Sequence, residues 1–253
     1  MGRAIAVVNQ KGGVGKTTSA LNLAVLCAIA GKRCLLVDFD PQANASSGLN
    51  LQATRSTSIG AALAGNTSLE SILMHLPMPS LDVAPSHQSL VEVEQHLVTR
   101  SAGKTALQNL FKSIDGKYEF IFIDCPPSLG LLPLNALIAA DSVLVPIQCE
   151  YYAMEGLTQI LATIKQVRES YNPKLKIEGI LFTMFDDALQ HSVEIIEEVS
   201  GHLPGETMNT IIPRDIMLSE AASFGKPIVH YAPGSRGARA YIELTREILS
   251  ANR

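Results

Sequence analysis

Ten residues near the start of the chain, Asn9-Gln10-Lys11-Gly12-Gly13-Val14-Gly15-Lys16-Thr17-Thr18, can do chemistry on a polyphosphate. Gly12, Gly13 and Gly15 lack a Cβ, so the backbone around Val14 can turn successive N–H groups toward one point. A helix starting behind the loop would add unpaired N–H groups, including that of Thr18, and the positive end of its dipole. Lys16 supplies a cation for the β- and γ-phosphates, and the Thr17 hydroxyl is a ligand for Mg²⁺. Three carboxylates follow apolar runs: Asp38 after Cys34-Leu35-Leu36-Val37, Asp40 two residues on, and Asp124 after Phe120-Ile121-Phe122-Ile123. A carboxylate at the end of a buried strand is costly unless something there uses it. Asp124 can accept from a Mg²⁺-bound water or from the Thr17 hydroxyl.

These groups meet only if parallel strands and crossover helices bring them to one edge of a sheet. Ala4–Val8 reads as a buried strand. Ser19 to Ala30 reads as a helix offering Leu21, Leu23, Ala24, Ala28 and Ile29 for burial, closed by Gly31. Further strands are predicted at Cys34–Val37, Leu81–Pro85, Phe120–Asp124, Ser142–Gln148 and Lys176–Phe182. Helices are predicted over Ser58–Ala64, Leu69–His75, Gln88–Val98 and Thr105–Ile114, and over a long stretch led in by Cys149–Gly156 and ending near Tyr171. Two more follow: His191–Ser200, with Val193, Ile196 and Val199 on one side, and Ser235 to about Ala251, packing Tyr241, Leu244, Ile248 and Leu249. With no repeat, low-complexity tract or linker, residues 1–253 are expected to form one P-loop domain. The predicted class is α/β: a three-layer sandwich, mostly parallel sheet with helices on both faces. Cys125-Pro126-Pro127-Ser128-Leu129-Gly130 leaves Asp124 as the natural switch segment, stiffened by prolines and turned at Gly130.

The loop departs from the common G-x-x-x-x-G-K-[ST] pattern, because Gln10 stands at the first glycine and Lys11 follows it. Lys-Gly-Gly-x-Gly-Lys-Thr resembles the deviant phosphate loop of the ParA/MinD group of P-loop ATPases. The resemblance continues through Val37-Asp38-Phe39-Asp40-Pro41-Gln42, Ala43–Leu49, Pro146–Gly156, and Thr210–Arg214 with Leu218–Ala221. It covers essentially the whole chain, is weakest between residues 43 and 117, and points to ParA/Soj-type partitioning proteins. It implies that Lys11 is a signature lysine reaching across a dimer interface to the partner's nucleotide. It implies that Asp40 orients the attacking water. Asp38 either holds a Mg²⁺-bound water or serves structure. Met184, Pro213 and Arg214 belong to the part that closes over the adenine base.

The function implied is a Mg²⁺-dependent ATPase, an ATP-gated homodimer in chromosome or plasmid DNA partitioning with a ParB-like activating partner. It would work in the cytoplasm, and on the nucleoid where it binds DNA. The alternative is a ParA-like ATPase that positions a non-chromosomal cargo or acts as a signalling switch. A module using ATP only as a clamp would differ by lacking turnover.

Composition bounds these readings. Hydrophobic residues at 47%, aromatics at 5% and no Trp suit aliphatic parallel strands under helices. A formal charge of −4 gives no global basic field for DNA or anionic lipid. Cys27, Cys34, Cys125 and Cys149 show no C-x-x-C spacing and read as buried free thiols in a reducing compartment, unlike cluster ligands of a nitrogenase-reductase-like carrier. His75, His87 and His96 share no ligand-like spacing. No signal peptide or 18-residue apolar run is expected, and Glu247–Arg253 carries no basic amphipathic tail of the MinD kind.

ParA-like proteins bind DNA non-specifically through basic residues in the C-terminal part, and two expected arginines are missing. Ala188 stands in Thr183-Met184-Phe185-Asp186-Asp187-Ala188-Leu189, and Met217 in Ile212-Pro213-Arg214-Asp215-Ile216-Met217-Leu218. DNA binding is therefore expected to be weak or strongly salt-sensitive, since each lost phosphate contact removes a counterion-release contribution. Any footprint would draw on Arg214, Lys226, Arg236 and Arg239, with Lys165, Lys174 and Lys176.

Overall fold

Side chains alternate across each apolar run and split between two cores. Ile5 and Val7 join one hydrophobic cluster, with Leu36 and Phe122, while Ala4 and Ala6 join the other, with Leu35, Val37 and Ile123. Both sets are almost wholly buried, as parallel strands covered on two faces must be. The computed structural model describes residues 2–78, 80–150 and 153–250.

In chain order the elements are β1 (Arg3–Val7), α1 (Lys16–Ile29), β2 (Cys34–Asp38), α2 (Asn44–Ser47), α3 (Ile59–Ala64) and α4 (Leu69–Ile72). Next come β3 (Met74–His75), β4 (Leu81–Ala84), α5 (Leu90–Thr99), α6 (Ala106–Phe111), β5 (Phe120–Asp124) and α7 (Leu131–Ala139). They are followed by β6 (Ser142–Gln148), α8 (Ala153–Ser170), β7 (Lys176–Thr183) and α9 (Gln190–His202). The last are α10 (Ile216–Ser223), α11 (Ile228–Tyr231) and α12 (Arg236–Ser250).

Among the described residues, seven strands form one sheet in the order β3-β4-β2-β5-β1-β6-β7, with β3 antiparallel to β4 and the other pairs parallel. One core cluster gathers the sheet face under α1 and α12, and the other the face under α3 and α5 to α8. The three-layer α/β sandwich expected from the sequence is the observed architecture. The order places the C-terminal ends of β2, β5 and β1 side by side. Asp38 and Val7 both stand in register with Asp124. Each fully buried Leu, Ile or Phe contributes about 1.5–3 kcal/mol, and that packing sets three carboxylates, at the ends of β2 and β5, against one loop.

Several local expectations are corrected. α1 starts at Lys16 rather than Ser19, because Gly15, at φ 85°, turns the loop straight into the helix. Ile29 is 52% exposed where burial was expected, because it lies on the outer side of a last turn whose Leu26, Cys27 and Ala28 are buried. The helix expected over Leu69–His75 stops at Ile72, and Met74–His75 becomes an edge strand whose His75 meets Asp82 across the ladder. The single helix expected over Thr105–Ile114 is instead α6 with a 3₁₀ turn on either side. In α9 the inward face carries Ile195 and Val199, and Val193 is exposed. The α12 face holds as expected, with Tyr241, Leu244 and Ile248 buried. Tyr151 and Tyr152 of the 146–156 run, and Ala251, Asn252 and Arg253 at the chain end, lie outside the described residues. All four cysteines are buried and unpaired. Among the described residues no helix is long and apolar enough to cross a membrane.

Candidate active site

The glycine loop hangs between β1 and α1 and is tied down by residues of two other strands, β6 and β7. Asn9 is buried; its Nδ2–H donates to Pro146 O at 2.7 Å and its Oδ1 accepts Lys11 N–H at 2.9 Å. Gln148 Nε2–H donates to Gly13 O at 3.0 Å, and the Thr183 hydroxyl donates to Val14 O at 3.0 Å. These bonds occupy loop carbonyls, consistent with the loop offering its N–H groups to a ligand. Gly13, at φ 74°, and Gly15 sit where a side chain would strain the backbone. Nothing in the spacing announced Gln148 and Thr183 as braces, since they come from the ends of β6 and β7.

A cavity of about 340 Å³ opens at the loop, lined by Gly12, Gly13, Lys16, Thr17, Asp40 and Pro127 among others. A second, of about 520 Å³, shares Gly15, Thr18 and Met184 with it and is walled by Ile212, Pro213, Arg214 and Tyr241. Met184 stands at the junction with φ 53°, a left-handed conformation unusual for its type. One end of the paired cavity is polar and glycine-lined, and the other more apolar. That is the shape of a phosphate chain joined to a base. The predicted loop residues and the predicted base-contacting residues are thus brought together.

Lys16 is 6% exposed, and its Nζ–H donates to Lys11 O at 2.8 Å. Burial pulls its pKa down, and Asp124, Cys125 and Asp40 nearby oppose that. Asp124 is fully buried, and neither of its carboxylate oxygens has a hydrogen-bond partner. Burial and the charges of Asp38 and Asp40 push its pKa well up; the neighbouring Thr17 hydroxyl and Lys16 oppose the shift. An orphaned buried carboxylate beside a threonine hydroxyl fits a hard, hydrated divalent cation. Among the described residues no group of three or more His, Cys, Asp or Glu could hold a metal alone. A cation here would rely on Thr17, water and the ligand's own oxygens.

Asp38 and Asp40 have different partners. Asp38 Oδ2 accepts Ser46 N–H at 2.7 Å and the Ser46 hydroxyl at 2.6 Å, and its Oδ1 accepts Asp40 N–H at 3.3 Å. Burial nonetheless pushes its pKa up to about 6, against the pull of the Ser46 bonds. Ser46 and Asp40 thus hold the Asp38 carboxylate at the strand end, in register with Asp124. Ser46, eight residues on, is the partner the sequence did not reveal. Asp40 faces the phosphate cavity, with Oδ1 accepting Gln42 N–H at 2.9 Å.

Lys11 does not line the loop cavity. Its ammonium pairs with Glu150 at 2.5 Å, and both side chains are half exposed. Among the candidate DNA-contacting cations, Arg214 precedes α10 and Lys226 follows it, and the Asp215–Gly237 bond brings the start of α10 to the start of α12. Arg236 and Arg239 lie on α12, and Arg236 is paired with Asp187 at 3.4 Å.

Comparison with known proteins agrees with this geometry. The AAA_31 family model, described as an AAA domain, matches residues 2–177. The chromosome partitioning protein ParA of Myxococcus xanthus is 46% identical over 98% of this chain and 88% of its own length. The sporulation initiation inhibitor protein Soj of Bacillus subtilis is 45% identical over 98% of each. Among solved structures, cobyrinic acid a,c-diamide synthase from Mycobacterium smegmatis, with bound ATP analog and magnesium, superposes with TM-score 0.87 at 33% identity. That match covers 100% of this chain and 98% of the other.

Proposed function

The chain belongs to the ParA/Soj-type family of P-loop ATPases, and from that premise we propose that it hydrolyses ATP with Mg²⁺ as a nucleotide-gated homodimer in DNA partitioning, under the control of a ParB-like partner. The carrying observation is the convergence of Lys16, Thr17, Asp40 and the unpartnered Asp124 at one cavity edge. The N–H groups of Gly12 to Thr18 cradle the phosphates, and Lys16 leaves Lys11 O for the β- and γ-oxygens. Bound Mg²⁺, held by Thr17 and through water by Asp124, would neutralise charge on those oxygens. Asp40 orients the attacking water, and Met184, Pro213 and Arg214 contact the base. The Asp124–Gly130 segment, with Pro127 at the cavity, transmits loss of the γ-phosphate. Residues 1–253 act as one catalytic domain in the cytoplasm, a reading the four unpaired cysteines support. Phosphate release measured with and without Mg²⁺, beside light scattering with ATP, tests the proposal. A chain that turns over no ATP and stays monomeric with it would overturn it.

Lys11 is assigned to the partner's nucleotide. Its pairing with Glu150 is a half-exposed ion pair, worth about 0.2–1 kcal/mol, so exchanging it for a partner's phosphates costs little. Lys11→Ala is expected to bind ATP within roughly threefold of wild type, because an exposed charge outside its own cavity adds little to first binding. Its ATP-dependent dimer should be weakened. Titration and light scattering check this, and loss of first binding equal to that of a Lys16 variant would place Lys11 in its own subunit's site.

DNA binding is the finer point. Each phosphate contact contributes a slope of about −0.9 to log K against log salt, and the Asp187 carboxylate already occupies Arg236. Gel shifts with ATP should show binding at low salt that fades near physiological salt. Arg214→Ala/Arg236→Ala should lower it further, and Asp187→Asn should raise it. Tight binding at physiological salt that ignores these changes would sink this view of the surface. Absent binding at all salts would favour a non-chromosomal cargo, the reading the missing arginines also favour.

A further inference from the structure

The wall of the base-end cavity is fastened by α12, the helix whose Tyr241 also lines it. Glu247, in the last turn of that helix, gathers all four donors of two consecutive residues on one carboxylate. Its Oε1 accepts Asn209 N–H at 2.7 Å and Asn209 Nδ2–H at 3.0 Å. Its Oε2 accepts Thr210 N–H at 3.0 Å and the Thr210 hydroxyl at 2.8 Å. At the other end of α12, Gly237 N–H donates to Asp215 Oδ2 at 2.7 Å, while Asp215 Oδ1 caps α10 through Met217 N–H. Between these two anchors lie Ile212, Pro213 and Arg214, which line the cavity. Their inner edge follows the end of β7, through Ile212 N–H to Phe182 O and Arg214 N–H to Phe185 O.

We propose that Glu247 is a positioning residue for nucleoside recognition. β7 holds the chain on either side, through Met208 N–H to Ile180 O and Ile212 N–H to Phe182 O, but among the described residues no backbone bond to it comes from Asn209 or Thr210, which carry the chain between those two points. Those two residues have four polar groups at the surface, and water would compete for each one separately. A single carboxylate taking all four makes them one fixed unit against the helix. The cavity wall therefore keeps its spacing when the base is absent, and less ordering is left to be done on binding. Glu243, one turn earlier, is exposed and among the described residues pairs within the helix, with Arg246, so it serves as an internal control.

The inference rests on the reading that ATP occupies the two joined cavities, and its test separates the two claims. Glu247→Gln keeps the side-chain size but takes the charge from all four bonds and sets an NH₂ against the backbone N–H of Asn209 or Thr210, whose side chain alone can turn to accept from it. Calorimetric affinities for ATP and for inorganic tripolyphosphate, which has no nucleoside, are measured on the full chain, with melting temperature and steady-state kinetics. Glu247→Gln is expected to weaken ATP by roughly tenfold and raise KM with kcat little changed. Tripolyphosphate affinity should stay within about twofold, because the glycine loop is untouched. Thr210→Val, which removes one bond only, should show a smaller ATP-specific loss and serves as the readout if Glu247→Gln folds poorly. Glu243→Gln should match wild type. Unchanged ATP affinity in Glu247→Gln, or equal losses for ATP and tripolyphosphate, would overturn the positioning role while leaving the ATPase reading intact. A wild-type chain that binds neither ligand would overturn both.

Discussion

Lys16→Ala lowers ATP affinity by at least roughly a hundredfold, the effect of taking one buried charge partner from a phosphate at about 1.4 kcal/mol per decade. Lys16 is the cation inside the loop cavity, since Lys11 is turned outward to Glu150 and Arg214 stands at the base end. The fold should tolerate the change. Among the described residues the Lys16 ammonium bonds to Lys11 O, and it is held there against the cost of burial. Nucleotide titration beside a thermal melt checks the result. A variant that melts normally and binds ATP within a few-fold of wild type would remove the phosphate-loop assignment.

Asp40→Ala separates binding from turnover. The carboxylate lines the phosphate cavity but takes no part in the loop that forms it, and its one described bond is to Gln42 N–H. ATP affinity should therefore be kept, while kcat falls by roughly 10²–10⁴-fold, the range for losing a positioned group that handles the attacking water. With hydrolysis blocked, the dimer should accumulate in ATP, visible by light scattering as a lasting doubling of mass. Normal turnover, or a variant that stays monomeric in ATP, would take the role from Asp40. Asp38→Asn makes the contrast. Asp38 is tied to Ser46, so its loss should show first in the melt.

What the sequence determined was local. Continuous apolar runs mark β5, with its acidic end, and β6 to the residue, and the spacing from Gly12 to Thr17 marks the phosphate loop. Both signals are short-range. The glycines free the backbone where they stand, and a buried strand must exclude charge until it ends. What the tertiary structure decided depends on residues far apart in the chain. Lys11 meets Glu150 only because β6 lies beside β1 in the sheet. Asn9, Gln148 and Thr183 become loop braces because strand order brings the ends of β6 and β7 to the same edge. Asp38 is held in place because α2 folds Ser46 back over the strand end. Val193 was assigned inward from spacing alone, but the rotation of α9 is set by the surface it covers, which takes Ile195 and Val199. β3 exists because the edge of β4 offered two residues a ladder, where their own pattern continued a helix. The clamp of Glu247 on Asn209 and Thr210 closes across α10, α11 and most of α12 in sequence, and Arg236 is paired with an aspartate on the far side of α10 in sequence. Residue types and spacing fix which chemistry the chain can carry, because those are properties of short segments. Which group braces, which reaches and which is cancelled follows from packing, because only the folded chain sets the distances between them.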